Sequence, residues 1–122
     1  MTFSEVILFD KCFRNVLDFR LKKNCILYSI ILRFLFPLKK DMEIGRCEIK
    51  GGLVCYHGHG IVINAEKIGK NLSIWQGVTI GKNINSEQLP IIGDNVKIGA
   101  GAVVMKDVPS VVIGNPCVIK KR

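Results

Sequence analysis

The chain of 122 residues is poor in aromatic side chains and in histidine. It has a single Trp, two Tyr and two His, although 48% of its residues are hydrophobic. The core must therefore consist mainly of branched aliphatic side chains, a composition that favours strands over a helical bundle. The length predicts one domain, and a monomer of this size buries only part of its apolar surface.

The five cysteines lack the paired spacing that holds a zinc ion or builds a disulfide framework. They are odd in number and form no CxxC motif, which indicates a reducing, cytoplasmic setting. Two histidines are also too few for a three-histidine zinc site within one chain. The sequence therefore predicts no metal.

Long apolar runs are missing as well. The most apolar stretch, CILYSIIL at 25–32, ends at Arg33, whereas a membrane-spanning helix needs about twenty apolar residues. No signal peptide precedes this stretch, because the basic residues from Lys11 onwards lie far inside the chain. We expect a soluble protein.

The net charge of +8 is spread evenly, with ten basic and six acidic residues in 1–50 and eight and four in the remainder. No RRM, KH or helix-turn-helix pattern accompanies this charge, so we expect no nucleic-acid partner. Anionic small molecules and acidic membrane surfaces fit the same charge.

A period of six organises positions 44–104. Every sixth residue is Ile or Val in eight of eleven places, and the residue after it is Gly in six of eleven. A parallel β-solenoid produces this period, because each unit makes one short strand and one corner and three units close a triangular coil. A second set of small or apolar residues could fill the same lumen: Leu72, Val78, Val96 and Ala102.

The hexads IGKNLS, IWQGVT, IGKNIN, IGDNVK and IGAGAV, followed by KDVP, resemble the left-handed β-helix acyltransferases. Within them, Leu53, His57 and the GIVI that starts at Gly60 are similar to a motif of the serine acetyltransferase-like group. The resemblance covers roughly residues 44–122. It implies a mainly β fold, a left-handed parallel β-helix of hexapeptide repeats, with a β-helix acetyltransferase domain over residues 41–122.

The segment before the repeat, residues 1–40, contains helix formers and no Gly or Pro before Pro37. Its apolar residues recur near helical spacing, so we expect one or two helices ending at Pro37. This N-terminal helical segment would cap the open end of the solenoid, whose last coil otherwise presents unpaired strand edges, or pack against other subunits. Its basic and apolar character is also typical of a segment that contacts a membrane surface.

His57 occupies a corner position, so its side chain should point out of the lumen. With a coil of about 18 residues, Trp75 would lie beside it at one strand spacing. The resemblance implies that His57 is the general base for a hydroxyl acceptor that attacks a thioester, a role that neutral imidazole suits near pH 7. No side-chain nucleophile is needed, and Cys55 should face another direction. Tyr56, His59 and Trp75 complete the expected acceptor site, although His59 could be a polar turn residue and Trp75 ordinary packing.

The resemblance also implies acetyl-CoA as the acetyl donor, held between neighbouring subunits of a homotrimer. Small residues let an extended ligand approach the coil wall, and lysines could meet its phosphates. The expected donor-binding residues are Gly81, Gly101, Ala102, Lys106 and Lys120, with Lys121 and Arg122 in the same basic terminal run.

The sequence departs from the resembled family at the acceptor site. Tyr56 stands where enzymes that acetylate free serine have an Asp, and Gln88 and Leu89 stand where they have Arg and His. The acid expected near the start of the repeat is displaced, with Met42 in register and Asp41 one position earlier. These differences favour a sugar hydroxyl of a surface polysaccharide, without excluding L-serine.

The repeat is also interrupted and shortened. Residues 82–91, KNINSEQLPI, predict an extruded loop or an irregular corner, and in the resembled family a loop here walls the active site. One coil of the family is missing between GAGA and DVP, which a solenoid tolerates but which could shorten the wall for coenzyme A. Two interpretations follow: a trimeric O-acetyltransferase, or a shortened, non-catalytic trimeric scaffold that still binds coenzyme A.

Overall fold

The computed structural model describes residues 2–45, 47–109, 111–113 and 118–120. In these ranges three helices precede a series of short strands. The helices are α1 (Phe3–Phe9), α2 (Lys11–Asn24) and α3 (Ile26–Leu35). The strands are β1 (Met42–Ile44), β2 (Glu48–Ile49), β3 (Val54–Cys55), β4 (Ile61–Ile63), β5 (Lys67–Ile68), β6 (Ser73–Ile74), β7 (Thr79–Ile80), β8 (Ile91–Ile92), β9 (Lys97–Ile98), β10 (Val103–Val104), β11 (Val111–Ile113) and β12 (Val118–Lys120).

The strands form three parallel sheets, which are the faces of a triangular coil. Face 1 has the order β1-β4-β7-β10, face 2 has β2-β5-β8, and face 3 has β3-β6-β9-β11, with β12 antiparallel to β11. Neighbouring strands within a face belong to successive coils. The mainly β class and the parallel β-helix predicted from the six-residue period are confirmed.

Branched aliphatic side chains fill the lumen. Those almost fully buried along the six-residue series are Ile68, Ile74, Ile80, Ile92, Ile98 and Val104. The second predicted set, Leu72, Val78, Val96 and Ala102, is 0% exposed, so its expected place in the lumen is confirmed. Burying one Ile or Val side chain contributes about 1.5–3 kcal/mol, and these residues therefore dominate the stability of the coil.

The six-residue series is out of phase in the first coil. Lys50 and Tyr56 belong to the series but are exposed, while their preceding neighbours Ile49 and Cys55 are buried. A polar side chain in an apolar lumen would lose its hydrogen bonds to water. The strands therefore turn the neighbouring apolar side chains inward.

Helix α2 covers the open end of the first coil. Its residues Cys12, Val16 and Phe19 pack against the lumen cluster, and Arg20 donates hydrogen bonds to the carbonyls of Ile49 and Lys50. These contacts satisfy polar groups at the end of the coil and bury one side of the helix. This is the capping arrangement expected of the N-terminal segment.

The number of helices differs from the one or two expected, since the segment forms three. Asp10 separates α1 from α2 and caps α2 by accepting a hydrogen bond from the backbone N–H of Phe13 at 3.0 Å. Cys25, in an extended conformation, separates α2 from α3. The last helix ends at Leu35, two residues before Pro37.

The connection from β7 to β8 is longer than its counterparts. Lys67 pairs with Ile91, twenty-four positions on, whereas Glu48 pairs with Lys67, nineteen positions on. Residues 81–90 therefore form an inserted loop at the corner between faces 1 and 2, as predicted from the interrupted repeat. Ile84 in this loop is 96% exposed.

Candidate active site

The corner between face 3 and face 1 of the first coil carries both histidines, and we call residues 56–60 the histidine corner. Before this corner Val54 pairs with Ser73, nineteen positions on, and after it Val62 pairs with Thr79, seventeen positions on. The histidine corner therefore holds two more residues than the corner of the next coil. The two additional residues lie between β3 and β4, where His57 and His59 are found.

The histidine corner stacks on the corners of the later coils through glycines. Gly60, Gly77 and Gly101 all have left-handed φ angles, of 60°, 71° and 72°. A Cβ on Gly77 would lie 3.5 Å from the Cα of Gly101, so the turns are in close contact. His57 and Gly101 consequently lie on one corner of the molecule, about two strand spacings apart along the coil axis.

Trp75 lies beside Tyr56 and not beside His57 as expected. The rings of Tyr56 and Trp75 stack with centroids 4.6 Å apart and planes inclined by 18°. The expected pairing assumed a regular coil, whereas the two strands β3 and β6 are nineteen positions apart. Cys55 faces the lumen, as its expected different direction requires.

His57 follows Tyr56 in the chain, and its side chain is exposed. Its φ of 63° is left-handed, a conformation in which His is several-fold enriched among residues other than Gly. Within the described part of the chain, no side chain hydrogen-bonds to its imidazole. The ring is therefore accessible from outside the coil.

Gly58 joins the histidine corner to the cap. A Cβ on this residue would overlap the Sγ of Cys12 in α2, and its φ is 59°. Both the space and the backbone conformation therefore require Gly. The position of the corner depends on the docking of α2 as a result.

His59 has a polar environment that the sequence did not reveal. Its Nδ1 lies 3.4 Å from Oδ2 of Asp41 and 3.2 Å from Nζ of Lys39. The Lys39 Nζ also lies 3.4 Å from Oδ1 of Asp41. In the described chain, no third His, Cys, Asp or Glu joins this pair to make a metal site.

The ionisation of Asp41 is favoured at this position. Desolvation raises the pKa of its carboxyl group, but the hydrogen bond to His59 and the charge of Lys39 together lower it below its ordinary value. Asp41 was identified in the sequence only as an acid one position out of register. Its contact with His59 depends on the two extra residues of the histidine corner, which no spacing rule indicated.

The predicted donor-binding residues lie at two different corners. Gly101 and Ala102 precede β10, at the corner shared with the histidines, whereas Gly81 and Lys106 follow β7 and β10 at the corner between faces 1 and 2. A Cβ on Gly81 or Gly101 would meet no atom within 4 Å. Their backbones are therefore open to close approach by a ligand.

The backbone N–H groups of three of these residues, Gly81, Gly101 and Ala102, already form hydrogen bonds within the chain. Gly81 donates to Val104 O at 3.0 Å, Gly101 to Gln76 O at 2.9 Å and Ala102 to Gly99 O at 3.3 Å. A ligand can therefore make van der Waals contact with the coil wall at these positions. It cannot accept hydrogen bonds from these backbone N–H groups. Lys120 ends strand β12, and Lys121 and Arg122 lie outside the described residues.

The inserted loop and the end of β10 enclose a cleft of about 290 Å³. Its lining residues are Asn83, Ser86, Gln88, Leu89, Pro90, Met105, Lys106 and Asp107. Lys106 therefore lies in the same cleft as Gln88 and Leu89, the positions that replace the Arg and His of the resembled pattern. In a single chain this cleft and His57 are at different corners and in different coils.

Curated relatives match between half and two thirds of the chain. The chain is 46% identical over 87 residues to a serine acetyltransferase from Staphylococcus xylosus, covering 67% of this chain and 38% of that protein. It is 40% identical over 88 residues to serine acetyltransferase 4 from Arabidopsis thaliana, covering 53% of this chain and 25% of that protein. This chain thus spans well under half the length of these relatives. No protein-family model matches the sequence.

Two solved structures share the fold. Soybean serine acetyltransferase without ligands has a TM-score of 0.58 and 22% identity, covering 98% of this chain and 62% of its own. The serine acetyltransferase of Neisseria gonorrhoeae in complex with serine has a TM-score of 0.52 and 26% identity, covering 88% and 54%. Both neighbours have left-handed β-helices, so the predicted handedness is confirmed.

Proposed function

Since the chain is a serine acetyltransferase-like hexapeptide-repeat protein, we propose that it transfers an acetyl group from acetyl-CoA to the hydroxyl of a small molecule or glycan. The observation that carries this proposal is the exposed His57 beside the Tyr56–Trp75 stack. An aromatic platform next to an accessible imidazole suits an acceptor that must be held by one face while it loses a proton.

In the proposed reaction His57 acts as the general base. Its imidazole removes the proton of the acceptor hydroxyl as the oxygen attacks the carbonyl carbon of the thioester. The bond from that carbon to sulfur then breaks, and the thiolate of coenzyme A takes up a proton. The products are an O-acetyl ester and free coenzyme A, and no covalent acyl-enzyme is formed.

His59 is the second candidate for the base, because it contacts a carboxylate. Asp41 can accept the Nδ1 proton of His59 at 3.4 Å, which would leave Nε2 as the proton acceptor. Lys39 approaches the same Nδ1 at 3.2 Å and can only donate, so the two neighbours favour opposite tautomers. We therefore assign the base to His57 and a place at the edge of the acceptor site to His59.

Acetyl-CoA is proposed to lie along face 1, between the two corners that carry the predicted donor-binding residues. The open backbones of Gly81 and Gly101 permit close approach, and Lys106 offers a cation at the inserted loop. The outward row of this face begins with Glu43 in β1. It continues with the uncharged Val62, Thr79 and Val103, and this later part suits the pantetheine arm.

We propose a homotrimer, because one chain separates the histidine corner from the cleft at Lys106. Packing around a three-fold axis would place the corner of one subunit beside the face or loop of the next. Sedimentation of the purified protein tests this proposal, and a monomer at working concentration would contradict it.

For the acceptor, we propose a sugar hydroxyl of a surface polysaccharide and retain L-serine as the alternative. Tyr56 offers a ring instead of the carboxylate that would pair with a substrate ammonium group. Gln88 and Leu89 likewise supply no positive charge for a substrate carboxylate. A neutral polyhydroxylated ring is the better match to these groups.

The test is thiol release from acetyl-CoA by the purified protein with L-serine, nucleotide sugars and glycans as separate acceptors. We expect release with one acceptor class and a loss of about 10²–10⁴-fold in His57→Ala, with His59→Ala as the matched control. A large loss in His59→Ala and a small one in His57→Ala would transfer the base role to His59.

The alternative function is a non-catalytic trimeric scaffold, favoured by the coil that is missing between GAGA and DVP relative to the resembled family. In that case the protein would bind coenzyme A, measured by calorimetry, and release no thiol with any acceptor.

A further inference from the structure

Helix α3 has an apolar surface that the described residues do not cover. Its buried residues, Ser29 and Leu32, face α2. By helical periodicity the opposite side is centred on Leu27, Ile31 and Phe34. These side chains are 60%, 45% and 88% exposed, which leaves a contiguous aliphatic and aromatic stripe in contact with water.

The end of α1 carries a further exposed apolar side chain. Phe9 is 76% exposed. The buried Arg14 donates to Leu8 O at 2.5 Å and to Pro37 O at 3.2 Å, and its guanidinium lies 5.5 Å from the centre of the Phe36 ring. Arg14 therefore links the end of α1 to the residues that follow α3. The N-terminal apolar surface comprises the exposed apolar residues of α3 around this stripe: Leu27, Ile30, Ile31, Phe34 and Leu35.

The same segment is strongly cationic. Residues 1–40 contain eight Lys and Arg and three Asp and Glu. Lys11 begins α2, Lys23 lies at its end, Lys40 follows α3, and all three are exposed. A second copy of the chain would bring these like charges together, whereas an anionic surface would complement them.

The length of α3 suits a helix that lies on the surface of a membrane and not one that crosses it. Helix α3 has 10 residues, whereas about twenty are needed to cross a bilayer. No helix in the described part of the chain is long and apolar enough to do so. An apolar stripe on a short helix with neighbouring lysines is typical of helices that lie in the interface of a membrane.

We propose that the N-terminal apolar surface binds to an anionic lipid bilayer. Leu27, Ile31 and Phe34 enter the boundary between headgroups and acyl chains, and the exposed lysines contact the headgroup phosphates. Binding would hold the histidine corner near the membrane, because α2 packs on both α3 and the first coil. The proposal does not depend on the acetyl-transfer reaction.

The experiment is co-sedimentation of the full chain with vesicles of phosphatidylcholine alone or with about 30% phosphatidylglycerol. We expect clear preference for the anionic vesicles and weaker binding at high salt. Ile31→Gln and Phe34→Gln should each weaken binding roughly tenfold or more, the ratio that corresponds to transfer of one large apolar side chain. The matched control is Ile84→Gln, which changes a 96% exposed Ile on the inserted loop and should leave binding unchanged.

Circular dichroism and sedimentation without lipid accompany each variant. Retained helix content shows that a loss of binding reflects the surface and not unfolding. The proposal is overturned if the wild-type chain does not bind anionic vesicles, or if Ile84→Gln reduces binding as much as Phe34→Gln. It is also overturned if Phe34→Gln dissociates an assembly of the chain while vesicle binding stays the same, since the surface would then be a contact between subunits.

Discussion

Tyr56 and Trp75 stack across two successive coils, with ring centroids 4.6 Å apart. They occupy equivalent positions at the ends of β3 and β6, so the spacing of the strands sets the spacing of the rings. Tyr56, one member of the pair, lies directly before His57 in the chain. The stacking of the coils therefore brings the two rings together.

Replacing the indole should weaken acceptor binding without changing donor binding. Trp75→Ala removes the partner of Tyr56, and an aromatic pair contributes about 0.5–1.5 kcal/mol beyond its buried area. We expect the KM for the acceptor to rise about three- to tenfold, while the KM for acetyl-CoA changes little. Trp75→Phe keeps a ring and should retain most of the affinity. Equal KM values for the acceptor in wild type and Trp75→Ala would exclude the platform role.

The residues that fill the lumen were predictable from the sequence, because every coil needs apolar side chains there and the coils repeat along the chain. Ile74, Ile80, Ile92 and Ile98 recur at multiples of six since each coil must place an apolar side chain in the same position. Glycines after them indicated the corners. The interrupted repeat at Ser86 likewise indicated the inserted loop, because a strand there would have placed a hydroxyl in the lumen.

The histidine corner was not predictable from the six-residue period. Buried residues still recur six positions apart across it, but the strand after the corner pairs in a register shifted by two residues. Cys55 and Ile61 are six positions apart and both are buried. The partner of Ile80 is nevertheless Ile63, eight positions after Cys55. The Asp41–His59 contact follows from this shift and from the course of the chain after α3. Neither feature leaves a signal in the spacing of apolar residues.

Substitution of Gly58 should loosen the histidine corner from its cap. In Gly58→Ala the new Cβ would overlap the Sγ of Cys12 at a left-handed φ, and we expect a loss of about 1–3 kcal/mol in the free energy of unfolding. Urea denaturation measures the loss. Gly51→Ala is the matched control, because its Cβ would meet no atom within 4 Å.

The overlap and the backbone strain can be separated by a double variant. Combining Cys12→Ala with Gly58→Ala removes the overlapping sulfur, so the double variant should be destabilised by less than the sum of the two single changes. Additive losses would show that Cys12 does not restrict the corner.

Cys55 should be chemically inert in the folded protein. Burial, with contributions from Cys12 and Asp10, raises the pKa of its thiol to about 12, so only about one molecule in 10⁵ carries the thiolate at pH 7. Native protein treated with iodoacetamide should show alkylation at the half-buried Cys25 well before Cys55, measured by peptide mass spectrometry. In unfolded protein, Cys25 and Cys55 should be alkylated at similar rates. Cys55→Ala should keep acetyl transfer, and its inactivity in a folded variant would indicate an acyl-thiol intermediate.

Acid should weaken the contact between α2 and α3 through Asp18. Burial raises the pKa of this carboxyl group, but hydrogen bonds from Arg33 and Ser29 and the charge of Lys22 lower it below its ordinary value. Arg33 Nε lies 2.9 Å from Oδ1, and Ser29 donates to the same oxygen at 2.5 Å. The folded state therefore favours the ionised form more than the unfolded state does.

The sign of the pH dependence follows from that lowered pKa. The stabilisation by Asp18 is fully present above the ordinary carboxyl pKa near 4 and is lost as the pH falls through the lower pKa of the folded state. Asp18→Asn should thus be less stable than wild type at pH 7 by urea denaturation, and the difference should shrink steadily below about pH 4. Lys22→Gln removes an exposed partner of Asp18. It should also lower the stability at pH 7, by less than Asp18→Asn does. A stability difference between Asp18→Asn and wild type that stays constant from pH 7 into this acid range would mean that the ionisation of Asp18 does not hold α3 against α2.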